Sequence, residues 1–273
     1  LGEALADAAI TGGAEVRMSA GVAGVIVAED RVVGVRLENG EELAAPLVMS
    51  SLGAQTSMHL AGVEHYDVEA VRRIRSIRAK GNVAKLNLIL SGLPDMPHSL
   101  LSGRMVIAPS VSEVERAFNP VKYGERSTEP VIEAVIPTLN EPGNPTRHVL
   151  SACIQYVPHV PVGGWSQADR AEVEKRALDR LETVLPGLSS RVEKAQFLTP
   201  LDIEASTGAP GGHWHHGELS FDQLLTVRPA NGFGNYRFGP RGYFLCGASC
   251  HPGGDVTGAP GHNAAQAALE GRP

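Results

Sequence analysis

Tyr243-Phe-Leu-Cys-Gly-Ala-Ser-Cys-His-Pro-Gly-Gly-Asp-Val-Thr-Gly-Ala-Pro-Gly-His-Asn-Ala-Ala-Gln-Ala-Ala-Leu269 decides how this chain is read. A short apolar strand, Tyr243 to Cys246, runs into a glycine-rich loop and then into an alanine-rich helix. The first N–H groups of a helix have no partner inside it, and the helix dipole favours negative charge there. Glycines in the loop let the backbone approach a ligand closely, because no Cβ intervenes. This layout is half of a nucleotide-cofactor site. The other half would be a Gly-x-Gly-x-x-Gly turn between a strand and a helix, and the sequence contains none in that context. Gly232-x-Gly234 sits in a loop before Asn235-Tyr236, and Gly211-Gly212 precedes a histidine cluster.

Composition narrows the class further. The 273 residues suffice for one large domain or two ordinary ones, and 42% hydrophobic with 20% charged residues is ordinary for a globular chain. A net charge of −6 with dispersed Lys and Arg gives no nucleic-acid footprint. No apolar run is long enough to span a bilayer, while a peripheral lipid contact stays open. Cys153, Cys246 and Cys250 form an odd set without metal-knuckle spacing, which reads as free thiols in a reduced, cytoplasmic setting. Leu1 opens on what reads as a helix in progress, with no basic region or cleavage site before it, so a piece of a longer protein is expected.

Working backwards from the glycine-rich ending, residues 1–12 suit a short helix closed by Gly12-Gly13. Glu15 to Met18 reads as a brief strand. Gly21 to Ala28, Arg31 to Leu37 and Glu42 to Ala45 form a three-stranded meander with turns at Glu29-Asp30 and Asn39-Gly40. Pro46 to Ser51 is a further short strand. Val68 to Ile77 is a basic amphipathic helix with Val71, Ile74 and Ile77 between arginines; it reads as a solvated face, with a lipid headgroup contact as the alternative. Strands are expected at Val83 to Leu90, Val131 to Ile136 and Val149 to Val157, with an emphatic loop at Glu141 to Pro145. Gln167 to Leu185 is the best helix, capped by Ser166 with Asp169 three residues on. Residues 199–240 are rich in glycine and read as a long functional loop. The fold class is therefore α/β (α+β), with a cofactor domain of residues 1–55 and 239–273 interrupted by a substrate domain of residues 56–238.

At this point the sequence resembles a known family, the phytoene-dehydrogenase-like FAD-dependent oxidoreductases. It looks like their C-terminal two-thirds, and the nearest branch is that of the pyridine nucleotide-disulfide oxidoreductase domain-containing proteins. Gly13 to Val16 through Val22, Val33 to Gly40 and Ala45 to Ser50 match the segment that returns into the FAD domain. Gly211-Gly-His-Trp-His-His-Gly-Glu-Leu-Ser-Phe-Asp-Gln-Leu-Leu225 with Arg228-Pro229 matches a signature late in the substrate domain. Leu245 to Ala248, His251 to Gly254 and Val256 to Gly261 match the final flavin motif.

The resemblance implies a two-domain fold of the amine-oxidase and glutathione-reductase type: part of a Rossmann-like FAD domain plus a mixed-sheet substrate domain. It further implies that Val22 meets the adenine through its backbone, that Gly247 and Ala248 lie along the ribityl and pyrophosphate, and that Gly254 and Asp255 belong to the cofactor-binding set. Val256, Thr257, Gly258 and Ala259 would open the last helix toward the isoalloxazine carbonyl, where reduced flavin carries negative charge. Pro260 would fall in the first helical turn, where a missing N–H costs nothing. Ala248 stands where many flavoproteins of this fold carry an acid, which agrees with this branch and weakens a link to amine oxidases. Asp255 stands where a neutral residue is expected, so it should face solvent or substrate.

His251 is the candidate for proton management beside the flavin, its alternative being a purely positional role. Cys250 without a Cys-x-x-Cys pair gives no support to disulfide chemistry. His213, His215 and His216 are read as a flavin- or substrate-facing loop or as plain packing; alternate strand residues would put His213 and His215 on one face for a metal, but only Glu218 stands near to complete a set. The implied activity is hydride transfer to or from FAD with an apolar, isoprenoid or lipid-like substrate, by dehydrogenation, reduction or isomerisation. One alternative is an amine-oxidase-like enzyme, which would need an aromatic cage from the few rings available: Trp165, Trp214, Phe233 and Tyr236. Another is a catalytically silent interaction domain. The sequence leaves the oligomeric state open. Lacking the dinucleotide fingerprint, this chain by itself is expected to bind FAD weakly or not at all.

Overall fold

Turn chemistry and apolar periodicity set out the elements in chain order. The computed structural model describes residues 1–141 and 146–270, so residues 142–145 of the loop read at Glu141 to Pro145 lie outside the described residues. The elements begin with α1 (Gly2–Thr11), β1 (Val22–Ala28), β2 (Arg31–Leu37), β3 (Glu42–Ala44), β4 (Val48–Ser50), α2 (Ala54–Ala61) and α3 (Val68–Arg75). There follow β5 (Val83–Leu90), α4 (His98–Leu101), β6 (Met105–Ile107), α5 (Val111–Phe118), β7 (Val131–Val135), β8 (His148–Gln155) and α6 (Gln167–Val184). The chain then forms β9 (Val192–Leu198), α7 (Pro200–Thr207), β10 (Tyr243–Leu245) and α8 (Ala259–Glu270). They group into two compact units: Leu1–Ser76 with Leu224–Pro273, and Ile77–Gln223.

In the first unit β1, β2 and β3 form the antiparallel meander. Glu29 and Asp30 turn the first hairpin at φ 47° and 59°, the left-handed pair that matches the twist of the flanking strands. β4 and β10 pair in parallel, Val48 with Tyr243 and Ser50 with Leu245. A parallel pair needs a crossover connection, and here the whole second unit lies within it. Beneath them Tyr66, Phe238 and Tyr243 pack ring against ring at 5.3 and 6.1 Å, with Met58 and Ile74 fully buried. The Tyr243 hydroxyl, buried with them, donates to the Ser57 carbonyl at 3.0 Å.

The seams fall at 76/77 and 223/224, whereas the sequence reading placed them at 55/56 and 238/239. α2 and α3 carry Ala54, Met58, Ala61, Ala70 and Ile74 into the core of the first unit, which is why the boundary lies after them. The strand expected at Glu15 to Met18 does not form. That segment is exposed and irregular, and Arg17 is tied to Glu41 by two hydrogen bonds of 3.1 and 3.0 Å in place of a ladder. Gly12-Gly13 closes α1 as expected, with Gly13 at φ 93° and the Ala14 N–H returning to the Ala9 carbonyl.

The second unit is an antiparallel sheet in the order β6-β7-β8-β5-β9. Alternation on β5 buries Ala84, Leu86, Leu88 and Leu90, and β8 adds Leu150, Ala152 and Ile154 to the same core. Val173, Ala177 and Leu181 of α6 fill that face. The opposite face is polar: Asn87 bonds Gln196 at 3.1 Å and Ser151 at 3.0 Å, and Gln155 bonds Glu133 at 3.3 Å. Ser166 and Asp169 form the expected reciprocal cap of α6.

Residues 199–207, read as the start of a long loop, instead begin with α7. Thr199 and Asp202 cap it reciprocally, Pro200 sits in its first turn, and Gly208 ends it at φ 70°. Arg170 of α6 grips the Asp202 carboxylate through both terminal nitrogens, and this hydrogen bonding lowers the Asp202 pKa from 3.8 to about 2. A depressed carboxylate pKa stabilises the folded state above the ordinary value, and that contribution disappears as pH falls through the folded one. Asp202→Asn is therefore expected to lower stability at neutral pH by about 1–2 kcal/mol, and the difference should vanish between pH of about 4 and about 2. Urea denaturation across that window checks this; a pH-independent difference would assign the effect to the cap geometry alone.

The candidate cofactor loop

β4 and β10 end side by side, and the loop that follows β10 is built on that edge. The Cys246 N–H donates to the Ser50 carbonyl at 2.8 Å, extending the parallel ladder by one residue. At the next position a Cβ on Gly247 would lie 2.0 Å from the Ser51 carbonyl oxygen, so only glycine fits there. Two tight turns fold the loop back on itself, Cys250 N–H to Gly247 carbonyl at 3.1 Å and Gly253 N–H to Cys250 carbonyl at 2.7 Å. The Ser249 hydroxyl, buried, donates to the Leu52 carbonyl at 3.3 Å.

Two side chains outside the cofactor-binding set expected from the sequence brace this loop, and Tyr236 enters the sequence reading only as a ring for an aromatic cage. Arg228 is 2% exposed, and its Nε and Nη2 donate to the Ala248 carbonyl at 3.2 and 2.9 Å. Burial lowers its pKa. The Tyr236 hydroxyl donates to the His251 carbonyl at 3.1 Å and accepts from Asn263 of α8 at 2.9 Å, tying loop to helix. The Arg228-Pro229 pair stood within a recognised motif, so a signal existed for one of them; nothing in the sequence spacing marked Tyr236.

Gly247, Ala248, His251, Gly254, Asp255, Val256, Thr257, Gly258 and Ala259 thus share one strand–loop–helix segment. Asp255 is exposed, and it and Val256 take φ 67° and 60°, a conformation that strains a β-branched residue. Val256 is 82% exposed. Thr257 Oγ1 accepts from the Ala259 N–H at 3.2 Å and so caps α8, whose second residue, Pro260, has no N–H to satisfy. His251 Nδ1 is buried and meets no hydrogen-bond partner among the described residues. Val22 lies apart from these, on the other sheet, where it opens β1 opposite Leu37 beside a bulge and is 40% exposed.

The cysteines are free, and burial pushes the Cys250 thiol up to about 12 and raises Cys246 as well. Both are neutral thiols at physiological pH, the wrong state for thiol–disulfide exchange. His213 to His216 form turns, not the strand that would align alternate residues, with the His216 N–H donating to the His213 carbonyl at 2.7 Å. The His213 and His215 rings stand 5.8 Å apart and, with Trp214, Asn82 and Leu219, line a cavity of about 200 Å³ in the second unit. Glu218 is held by Arg78 at 3.1 Å, and no group of three His, Cys, Asp or Glu side chains among the described residues is arranged to hold a metal ion. Of the rings considered for an aromatic cage, Phe233 packs on Phe238 at 5.1 Å and the Tyr236 hydroxyl is engaged as above.

Over 99% of its length the chain resembles glycine oxidase from Bacillus cereus, with a TM-score of 0.51 and 15% identity, matching 56% of that structure. That likeness is one of fold, a two-unit α/β architecture. No family model matches the sequence. Pyridine nucleotide-disulfide oxidoreductase domain-containing protein 2 of the mouse is 34% identical over 283 residues, covering 97% of this chain and 48% of the mouse protein. A lycopene-forming phytoene desaturase from a Paracoccus species is 26% identical over 262 residues, covering 91% and 49% respectively. The chain is thus similar to the pyridine nucleotide-disulfide oxidoreductase domain-containing proteins and, at lower identity, to the phytoene desaturases. It spans about half the length of the curated relatives it matches.

Proposed function

We propose that this chain supplies the flavin-ring end of an FAD site in an oxidoreductase acting on an apolar, isoprenoid- or lipid-like substrate. The observation that carries the reading is the approach of Gly247 to the Ser51 carbonyl, which leaves no room for a side chain where the loop departs from the parallel strands. FAD, when bound, supplies a two-electron centre that accepts or returns a hydride. Gly247, Ala248 and Gly254 present backbone to the ribityl and pyrophosphate, and Val256, Thr257, Gly258 and Ala259 lead into the positive end of the α8 dipole. That end favours negative charge on a bound ring. The unmatched Nδ1 of His251 is a hydrogen-bonding nitrogen beside this segment, suited to hold or relay a proton. Val22 would offer backbone groups to the adenine.

The cradle fits one end of the cofactor, and the sequence has no Gly-x-Gly-x-x-Gly turn for the other. Titrating the purified 273-residue chain with FAD, followed by flavin fluorescence, is expected to show binding weaker than micromolar, reduced further in Thr257→Pro. Micromolar or tighter binding would overturn the division of the site. Weak binding that ignores Thr257→Pro would remove this loop from it.

A further inference from the structure

We infer that the first unit carries a second ligand site, a phosphate-binding pocket at the opposite end of β4 and β10 from the cofactor loop. It is independent of the flavin reading. The cavity has a volume of about 510 Å³, and Arg31, Arg237 and Arg241 line it together with Pro46, Leu47 and Phe244. None of the three guanidiniums takes part in an ion pair among the described residues, although Glu29 and Asp30 adjoin Arg31 in the hairpin turn.

The backbone holds these charges together. Arg31 and Arg241 are directly paired in a parallel β-bridge, with the Val32 N–H donating to the Arg241 carbonyl at 2.8 Å and the Arg241 N–H to the Asp30 carbonyl at 3.0 Å. Like charges at paired positions cost stability. The turn that carries Arg241 is fixed by glycines that admit no side chain: a Cβ on Gly242 would lie 2.4 Å from the Pro46 carbonyl oxygen, and one on Gly239 would meet the Tyr66 ring at 2.5 Å.

The third charge is also pre-set. Arg237 lies over the Phe244 ring at 5.8 Å and donates to the Ala267 carbonyl at 3.2 Å. Arg241 Nη2 donates to the Glu29 carbonyl at 3.3 Å. These contacts orient two guanidiniums without neutralising them, and among the described residues Arg31 makes no such side-chain bond. Three arginines lining one cavity match a multiply charged oxyanion, and guanidinium forks match the oxygens of phosphate in particular. The apolar walls accommodate a carbon body attached to it. The shared chemistry is a phosphate or diphosphate group, carried either by a free small molecule or by a lipid headgroup.

The test uses the 273-residue chain with inorganic pyrophosphate by calorimetric titration, and separately phosphatidylcholine vesicles with and without phosphatidic acid by co-sedimentation. Saturable pyrophosphate binding that weakens with salt, and weakens by about tenfold or more in Arg31→Gln, is expected for the free-ligand source. Retention on phosphatidic-acid vesicles alone, lost in Arg31→Gln, assigns the headgroup source. Arg31→Gln should also be at least as stable as the parent chain in the absence of anion, because it relieves repulsion and breaks no side-chain bond. Binding of neither probe, binding that survives Arg31→Gln unchanged, or a clear loss of anion-free stability in that variant overturns the site. FAD titration should be unaffected by Arg31→Gln, which separates failure here from failure of the flavin reading.

Discussion

Gly247→Ala is expected to destabilise the first unit by about 3 kcal/mol or more, because the added methyl has nowhere to go. Its Cβ would stand 2.0 Å from the Ser51 oxygen, 2.7 Å from the Ser51 carbonyl carbon and 2.9 Å from its Cα. All three atoms belong to backbone, so no rotamer change relieves the overlap. Making room means separating the ends of β4 and β10, at the cost of the Cys246–Ser50 hydrogen bond of 2.8 Å. Gly258 is the control: its Cβ would meet open space, but φ is 70°, so Gly258→Ala should cost only about 1 kcal/mol of conformational strain. Both tryptophans, Trp165 and Trp214, lie in the second unit, so indole emission follows that unit while circular dichroism follows the whole chain. In urea, Gly247→Ala should shift the dichroism transition and leave the tryptophan transition where it was. A Gly247→Ala chain as stable as the parent would mean that the loop yields at this point, and the close-approach argument would fail.

The same local rigidity explains what could be read in the sequence. β5 has the expected bounds, Val83–Leu90, because alternation and the following Gly92 and Pro94 leave no other register. The meander, the cap of α6 and the strand–loop–helix ending were likewise set by signals within a few residues. β9 was missed because Glu193, Lys194 and Gln196 mask its alternation; it is a strand through its pairing with β5 alone. α7 had a legible start in Thr199-Pro200-x-Asp202, overshadowed by the glycines that follow. α2 carries no apolar stripe beyond Met58 and Leu60, and it forms where Met58 can be buried. In the candidate site the motif residues, Arg228 among them, stand out in the sequence, whereas the bonds that Tyr236 and Arg228 make to the loop act across 15 and 20 residues of intervening chain. Bonds of that reach depend on tertiary placement that no spacing rule encodes.

Arg228 gives the other large effect, and its sign tests what the buried charge is for. Its guanidinium is almost wholly out of water, a costly position offset by hydrogen bonds to the Ala248 carbonyl. Arg228→Met keeps most of the side-chain volume but leaves that carbonyl without its donors. Loss of charge-assisted bonds costs about 1.5–3 kcal/mol each, partly returned because a cation no longer has to be desolvated, so the net expectation is about 2 kcal/mol of destabilisation. Arg228→Lys retains the charge but not the fork, and should fall between parent and Met. Thermal unfolding followed by circular dichroism would order the three chains. If Arg228→Met proved more stable than the parent, the guanidinium would be a burden on the fold, and its position beside Ala248 and 3.8 Å from the Cβ site of Gly253 would have to be explained by a ligand. Weakened FAD binding in that more stable variant would then identify the charge as part of the cofactor site, since a bracing role alone predicts that stability and binding fall together.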